Sequence, residues 1–172
     1  AIEAVTEQIR ADLGPIDVLV NNAGISVGGP IDDAEFEDRW QLAMDVLLTA
    51  HQRTIRACLD DLRASGEGRI INISSTEGVG AQRGVLPYAA AKHGVIGLTR
   101  ALAVDLGTDG ITVNAICPGP ILTGMTELIP EEHRDKFARR RTAARRYGDP
   151  EEVAHMVLNL ALPSSSYITG QA

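Results

Sequence analysis

Ile70-Ile71-Asn72-Ile73-Ser74-Ser75 is an apolar, β-branched run that ends in two hydroxyls, and its reading decides the fold. A short, nearly continuous apolar stretch is the pattern of a strand buried on both faces, as in a parallel sheet. Two further runs share the design. Asp17-Val18-Leu19-Val20-Asn21-Asn22-Ala23-Gly24 leads into a turn, and Ile111-Thr112-Val113-Asn114-Ala115-Ile116-Cys117 ends at Pro118-Gly119-Pro120-Ile121-Leu122-Thr123. Helical patterns lie around them. Ile2, Val5, Ile9 and Leu13 are spaced for one helix face that Gly14-Pro15 stops, a long helix is expected from about Asp33 to Ala64, and another carries Tyr88 to about Leu106. A helical excursion is expected over 124–146, and Asp149-Pro150-Glu151-Glu152 caps a last helix through Ala161. This alternation predicts an α/β fold, a doubly wound parallel sheet with crossover helices. All three strands finish in small, polar or turn-forming residues, where ligand crevices of open α/β sheets form.

Composition narrows the function classes. The chain of 172 residues can bury one sizeable core, and 44% hydrophobic residues exclude a mainly disordered chain. A formal charge of −7 argues against nucleic acid as a partner, because phosphate binding needs a surplus of Lys and Arg. No run reaches the roughly eighteen uncharged apolar residues of a membrane helix, and no basic-then-apolar leader opens the chain, so a cytoplasmic protein is expected. Cys58 and Cys117 lack the spacing of a zinc site or disulfide framework, and His51, His93, His133 and His155 are scattered, so no metal site is expected.

The chemistry-bearing signal is Pro87-Tyr88-Ala89-Ala90-Ala91-Lys92. On a helix, positions four apart share a face, which sets the ammonium of Lys92 beside the phenol of Tyr88. Such a charge favours phenolate, and bringing a phenol about three units closer to neutrality takes roughly 4 kcal/mol of differential stabilisation. Ser75 lies upstream at the end of its strand, and alternation along a strand points it and Ser74 to opposite faces.

In order and spacing these residues resemble the short-chain dehydrogenase/reductase family over nearly the whole chain. Asn21-Asn22-Ala23-Gly24 is similar to its N-N-A-G segment, Ser75 to its serine, Tyr88 and Lys92 to its Y-x-x-x-K, and Pro118-Gly119 with Thr123 to its P-G-x-x-x-T segment. The resemblance implies a Rossmann-like fold and NAD- or NADP-dependent interconversion of a secondary alcohol and a ketone. It implies Tyr88 as acid/base, Ser75 polarising the carbonyl, and Lys92 holding the nicotinamide ribose. Cofactor contacts are expected from Asn22, Ala23, Gly24, Tyr88, Lys92, Pro118, Gly119, Ile121 and Thr123. Asn22 is equally suited to stabilising the sheet, and packing alone accounts for Ile121. Substrates are expected to be small alcohols and ketones or acyl thioesters, and the family often pairs its long helices into homodimers or homotetramers.

The sequence also departs from that pattern. The family's usual V-N-L is Val46-Leu47-Leu48, so the fourth catalytic position, normally Asn, is Leu47. No strand runs into the Gly-rich turn that receives a pyrophosphate, and Gly78-Val79-Gly80-Ala81-Gln82-Arg83-Gly84 has the wrong glycine spacing. One domain over 1–172, truncated at both ends, is therefore expected, lacking the phosphate-binding segment and a last strand after Ile168-Thr169-Gly170-Gln171. The apolar strand at 16–20 would then show a bare edge. These departures favour the alternative, a non-catalytic nucleotide-binding or oligomerisation module; Ser75, Tyr88 and Lys92 favour the enzyme. Arg139, Arg140, Arg141, Arg145 and Arg146 form one basic cluster, read either as a solvated face paired with Glu131, Glu132 and Asp135 or as a recognition surface for a phosphate-bearing or acidic carrier.

Overall fold

A computed structural model describes residues 1–172. Three parallel strands, β1 (Val18–Asn21), β2 (Arg69–Ile73) and β3 (Thr112–Ile116), lie in the order β1-β2-β3, with Val18 beside Arg69 and Arg69 beside Thr112. The helices are α1 (Ile2–Leu13), α2 (Phe36–Met44), α3 (Ala50–Ser65), α4 (Leu86–Leu106), α5 (Gly124–Glu127), α6 (Glu131–Arg141) and α7 (Pro150–Ala161).

Side-chain alternation sorts the sheet's two faces. Ile70 and Val113 point to one side, where Ile55, Cys58 and Leu62 of α3 and Ala103 and Leu106 of α4 close a single apolar core. The same face holds a buried polar chain. Thr54 Oγ1 donates to Asn21 Oδ1 at 2.6 Å, Asn21 Nδ2 to Asn72 Oδ1 at 2.9 Å, and Asn72 Nδ2 to Thr99 Oγ1 at 3.0 Å. It crosses α3, β1, β2 and α4, so amides that are costly to bury are all paired. The α7 helix packs on the other face against β2 and β3.

The expected long helix is not continuous. It starts at Phe36, because Asp33 folds back in a turn, its Oδ1 accepting from Glu35 N and its main-chain O from Phe36 N. It is then interrupted by a π-helical turn at Asp45–Thr49, which inserts an extra residue into the spiral. Leu47 in that turn is fully buried against Ala43 and Ala91, while Asp45 stays exposed. Gly94 lets α4 approach this turn, since a β-carbon there would meet Leu48 Cδ2 at 2.7 Å.

β1 forms one edge of the sheet, and Val18 and Val20, on one face of it, are 40% and 39% exposed. Along β3 runs the segment Ile168–Gln171. Gly170 N donates to Val113 O, Ala115 N to Gln171 O, and Asn114 Nδ2 to Ile168 O. No helix is long and apolar enough to cross a membrane.

Candidate active site

The C-terminal ends of the strands deliver the site. Ser74 N donates to Ile116 O at 2.8 Å and Thr76 N to Pro118 O at 3.0 Å, tying the loop after β2 to the loop after β3. Strand alternation then separates the two serines. Ser74 turns inward, 3% exposed, and donates to Lys92 O at 3.0 Å. Ser75, extended at φ −168° and ψ 162°, turns toward the crevice and accepts from Glu77 N at 3.1 Å, which leaves its own O–H free to donate. Gly78 makes this packing possible, because a β-carbon there would stand 2.5 Å from Ser74 Oγ and 2.8 Å from Lys92 O.

A cavity of about 170 Å³ brings Ser75, Tyr88, Lys92, Asn22, Gly24 and Gly119 together, floored by Leu47. A second cavity of about 460 Å³ shares Asn22, Ile73 and Pro118 with it and extends past Ile121 and Thr123 to α7. Of the residues expected to touch cofactor, Ala23 alone lines neither. The two asparagines after β1 divide their work. Asn21 is buried in the polar chain, whereas Asn22 is exposed at the mouth of both cavities. Ile121 is fixed by its loop, where Leu122 N donates to Gly148 O and Gly148 N to Pro120 O. Thr123 N is held by Thr126 Oγ1 at the start of α5.

The electrostatics differ from the sequence-based expectation. Burial holds the Tyr88 phenol above its ordinary range; the nearby Ser75 hydroxyl pulls it back down, although no hydrogen bond of good geometry joins the two, and the Glu77 charge pushes it up. Lys92 does not reverse this. Its Nζ lies 5.7 Å from the Tyr88 ring centroid and donates to Ile73 O at 2.7 Å, aimed at the strand end and not at the phenol oxygen. Burial instead lowers Lys92 itself to about 8.

The basic cluster also differs. Arg146 pairs with Glu152 through two bonds of 2.7 Å, and none of the expected pairs with Glu131, Glu132 or Asp135 forms. In α6 the glutamates occupy the first turn and Arg139, Arg140 and Arg141 the last, each at the end where the helix dipole favours it but too far apart to meet. Arg140 and Arg141 wall a cavity of about 560 Å³ with Thr76, Glu77, Gln82 and Gly119, and Gly119 also lines the cavity of Ser75, Tyr88 and Lys92. Sequence reasoning missed Gln82, whose Nε2 donates to Glu77 Oε1 at 2.5 Å, and the supporting pair Asn72 and Thr99. An asparagine inside an otherwise apolar strand was the available signal for the pair.

A parallel α/β sheet with cavities at the ends of its strands is the arrangement in which such sheets bind ligands, and comparison with known proteins gives the class. Residues 1–172 match the family described as Enoyl-(Acyl carrier protein) reductase. The chain is 40% identical to 3-oxoacyl-acyl-carrier-protein reductase FabG of Vibrio cholerae over 171 residues, covering 99% of this chain and 69% of that one. It is 42% identical to acetoacetyl-CoA reductase of Shinella zoogloeoides over 167 residues, covering 95% and 67%. The crystal structure of an F189W actinorhodin polyketide ketoreductase with NADPH superposes with a TM-score of 0.91 at 38% identity, covering 99% of this chain and 70% of that one. The chain belongs to the short-chain dehydrogenase/reductase family, among relatives of the FabG type. It is an NAD- or NADP-dependent oxidoreductase that interconverts a secondary alcohol and a ketone by hydride transfer.

Proposed function

We propose that Ser75, Tyr88 and Lys92 carry this reaction and that the substrate is the ketone of a phosphate-bearing 3-oxoacyl thioester, the observation for the substrate being the arginine-walled cavity beside the catalytic one. NAD(P)H, when bound, supplies a hydride to the carbonyl carbon. Tyr88 gives its phenolic proton to the carbonyl oxygen, so hydride and proton together make the alcohol, and oxidation reverses both transfers. The free O–H of Ser75 donates to the oxygen as charge develops. Lys92 has three N–H donors and spends one on Ile73 O, which leaves two for the hydroxyls of a ribose.

The residues present fit a nicotinamide cofactor. Asn22, Gly24, Pro118, Gly119, Ile121 and Thr123 line connected cavities running from Tyr88 and Lys92 toward α7, and the exposed, small Ala23 and Gly24 let a ligand approach the main chain. The substrate reading draws on the cations of α6. Arg140 and Arg141 have no carboxylate partner and face the cavity that Glu77 and Gly119 share, and a charge-assisted contact to phosphate there contributes about 1.5–3 kcal/mol. The names of the relatives, acyl-carrier-protein and CoA thioester reductases, point the same way. Self-association through the long helices into a homodimer or homotetramer belongs to this reading.

Comparing acetoacetyl-CoA with its N-acetylcysteamine thioester, which has no phosphate, tests the substrate class. Arg140→Ala with Arg141→Ala raises KM for the CoA thioester about tenfold or more and leaves KM for the truncated thioester unchanged. Equal effects on both, or no turnover of either, contradict it. Leu47 is the observation that favours a non-catalytic module, and turnover by the purified enzyme separates that reading from this one.

A further inference from the structure

The α6 helix carries a stripe of cations that extends beyond the cavity of Glu77 and Gly119. His133, Lys136, Phe137, Arg140 and Arg141 are spaced three and four apart, so they share one helix face over about 12 Å. With Gln82 they line a groove of about 610 Å³. The groove shares Gln82, Phe137, Arg140 and Arg141 with the cavity of Glu77 and Gly119, and Gly119 in turn lines the cavity of Tyr88. A path therefore leads from the reacting centre past the two arginines and out to Lys136 and His133.

The outer groove has a distinct chemistry. Lys136, Arg140 and Arg141 make no ion pair, and no carboxylate lines the groove. The one acid of the inner cavity, Glu77, is engaged by Gln82 Nε2. Three unpaired cations on one wall suit a group with several negative charges better than a single one. Among them stands Phe137, half-buried, its ring braced at a tilt by Tyr147 with centroids 6.3 Å apart. An aromatic face beside free cations is the combination that holds a nucleic-acid base and its phosphates. A protein partner would need an apolar centre in the surface it docks on, and Phe137 is the single hydrophobic residue of this groove.

We infer, on the reading of Arg140 and Arg141 given above, that the groove is a subsite for the nucleotide head of a CoA thioester. The pantetheine arm passes Gly119, Lys136 joins the two arginines on the phosphates, and Phe137 takes one face of the adenine. A thioester on a carrier protein brings one phosphodiester and no base, which leaves Phe137 and Lys136 without a ligand.

The test compares kcat/KM of the purified enzyme for acetoacetyl-CoA and for acetoacetyl-phosphopantetheine, which keeps the arm and a terminal phosphate but has no nucleotide. The wild type prefers the CoA thioester about tenfold or more. Phe137→Leu lowers that preference about fivefold and Lys136→Ala about threefold, whereas Arg139→Ala, exposed on the same helix but outside the groove, keeps it. Equal kcat/KM for the two thioesters in the wild type, the pattern of a carrier-protein substrate, overturns the inference. So does a preference that survives both Phe137→Leu and Lys136→Ala, or one that Arg139→Ala lowers as much as Lys136→Ala does. Lys136 is exposed, so its variant decides alone should Phe137→Leu fail to fold. Failure of the underlying reading gives a different result: Arg140→Ala with Arg141→Ala then acts alike on acetoacetyl-CoA and its N-acetylcysteamine thioester, whereas a failed groove leaves that difference in place and removes only the one between CoA and phosphopantetheine.

Discussion

The ammonium of Lys92 donates to the carbonyl of Ile73 across 2.7 Å, joining the helix that carries Tyr88 to the end of the central strand. That bond fixes a buried cation where two of its donors remain for a ligand, and it does so at a cost. A lysine lowered to about 8 by burial is destabilising in its charged form.

The cost has a pH signature. Because the folded-state pKa of Lys92 lies below its ordinary 10.5, the unfolded chain binds more protons between about 8 and 10.5 and this group's contribution to stability rises with pH across that window. Lys92→Met removes the rise. Denaturation midpoints measured from pH 7.5 to 10.5 check it: wild type minus variant changes by about 3 kcal/mol at most, while the variant's turnover falls by about two orders of magnitude.

Burial also sets the pH dependence of the reaction. The Tyr88 phenol is held above its ordinary range before cofactor binds, so it is protonated at neutral pH and ready as an acid. Carbonyl reduction is accordingly flat through neutrality and falls as the phenol ionises, whereas alcohol oxidation climbs with pH over the same limb. Opposite slopes in the two directions, measured with one substrate pair, check the assignment.

Gly78 is a steric requirement for the site. Gly78→Ala drives a methyl into Ser74 Oγ and Lys92 O, which destabilises by about 1–3 kcal/mol and displaces the loop that carries Ser75. Thermal unfolding and kcat are expected to fall together, while Gly97→Ala, with open space at its β-carbon, leaves both in place.

Asn72 supports the site from below. Asn72→Leu leaves the Nδ2 of Asn21 without its partner inside the core, at a cost of about 1–3 kcal/mol, while Thr99 Oγ1 keeps its bond to Val95 O. Urea unfolding of this variant beside the wild type checks the loss.

Much of this was legible in the sequence because it depends on short-range patterns. Apolar runs ending in Asn22, Ser75 and Pro118 gave the strands and the crevice, and the spacing of Tyr88 and Lys92 put them on one helix face. What escaped depends on geometry that periodicity does not encode. A π-helical turn at Asp45–Thr49 leaves no mark in an apolar pattern, so one continuous helix was expected there. The direction of Lys92 Nζ was hidden for the same reason: helix spacing places its Cβ near Tyr88, but the strand-end carbonyl of Ile73 decides where the ammonium goes. His51 looked like a scattered histidine until α3 placed it on the core-facing stripe.

The central claim is that Tyr88 is the acid/base of an NAD- or NADP-linked alcohol–ketone interconversion. Its most direct test is turnover of a carbonyl and alcohol panel with NAD(H) and NADP(H) by the purified enzyme, set beside Tyr88→Phe. Turnover in the wild type and a loss of about 10²–10⁴-fold in Tyr88→Phe, with cofactor still bound, is the predicted result; undiminished turnover in Tyr88→Phe, or cofactor binding with no turnover of any substrate in the wild type, contradicts the claim.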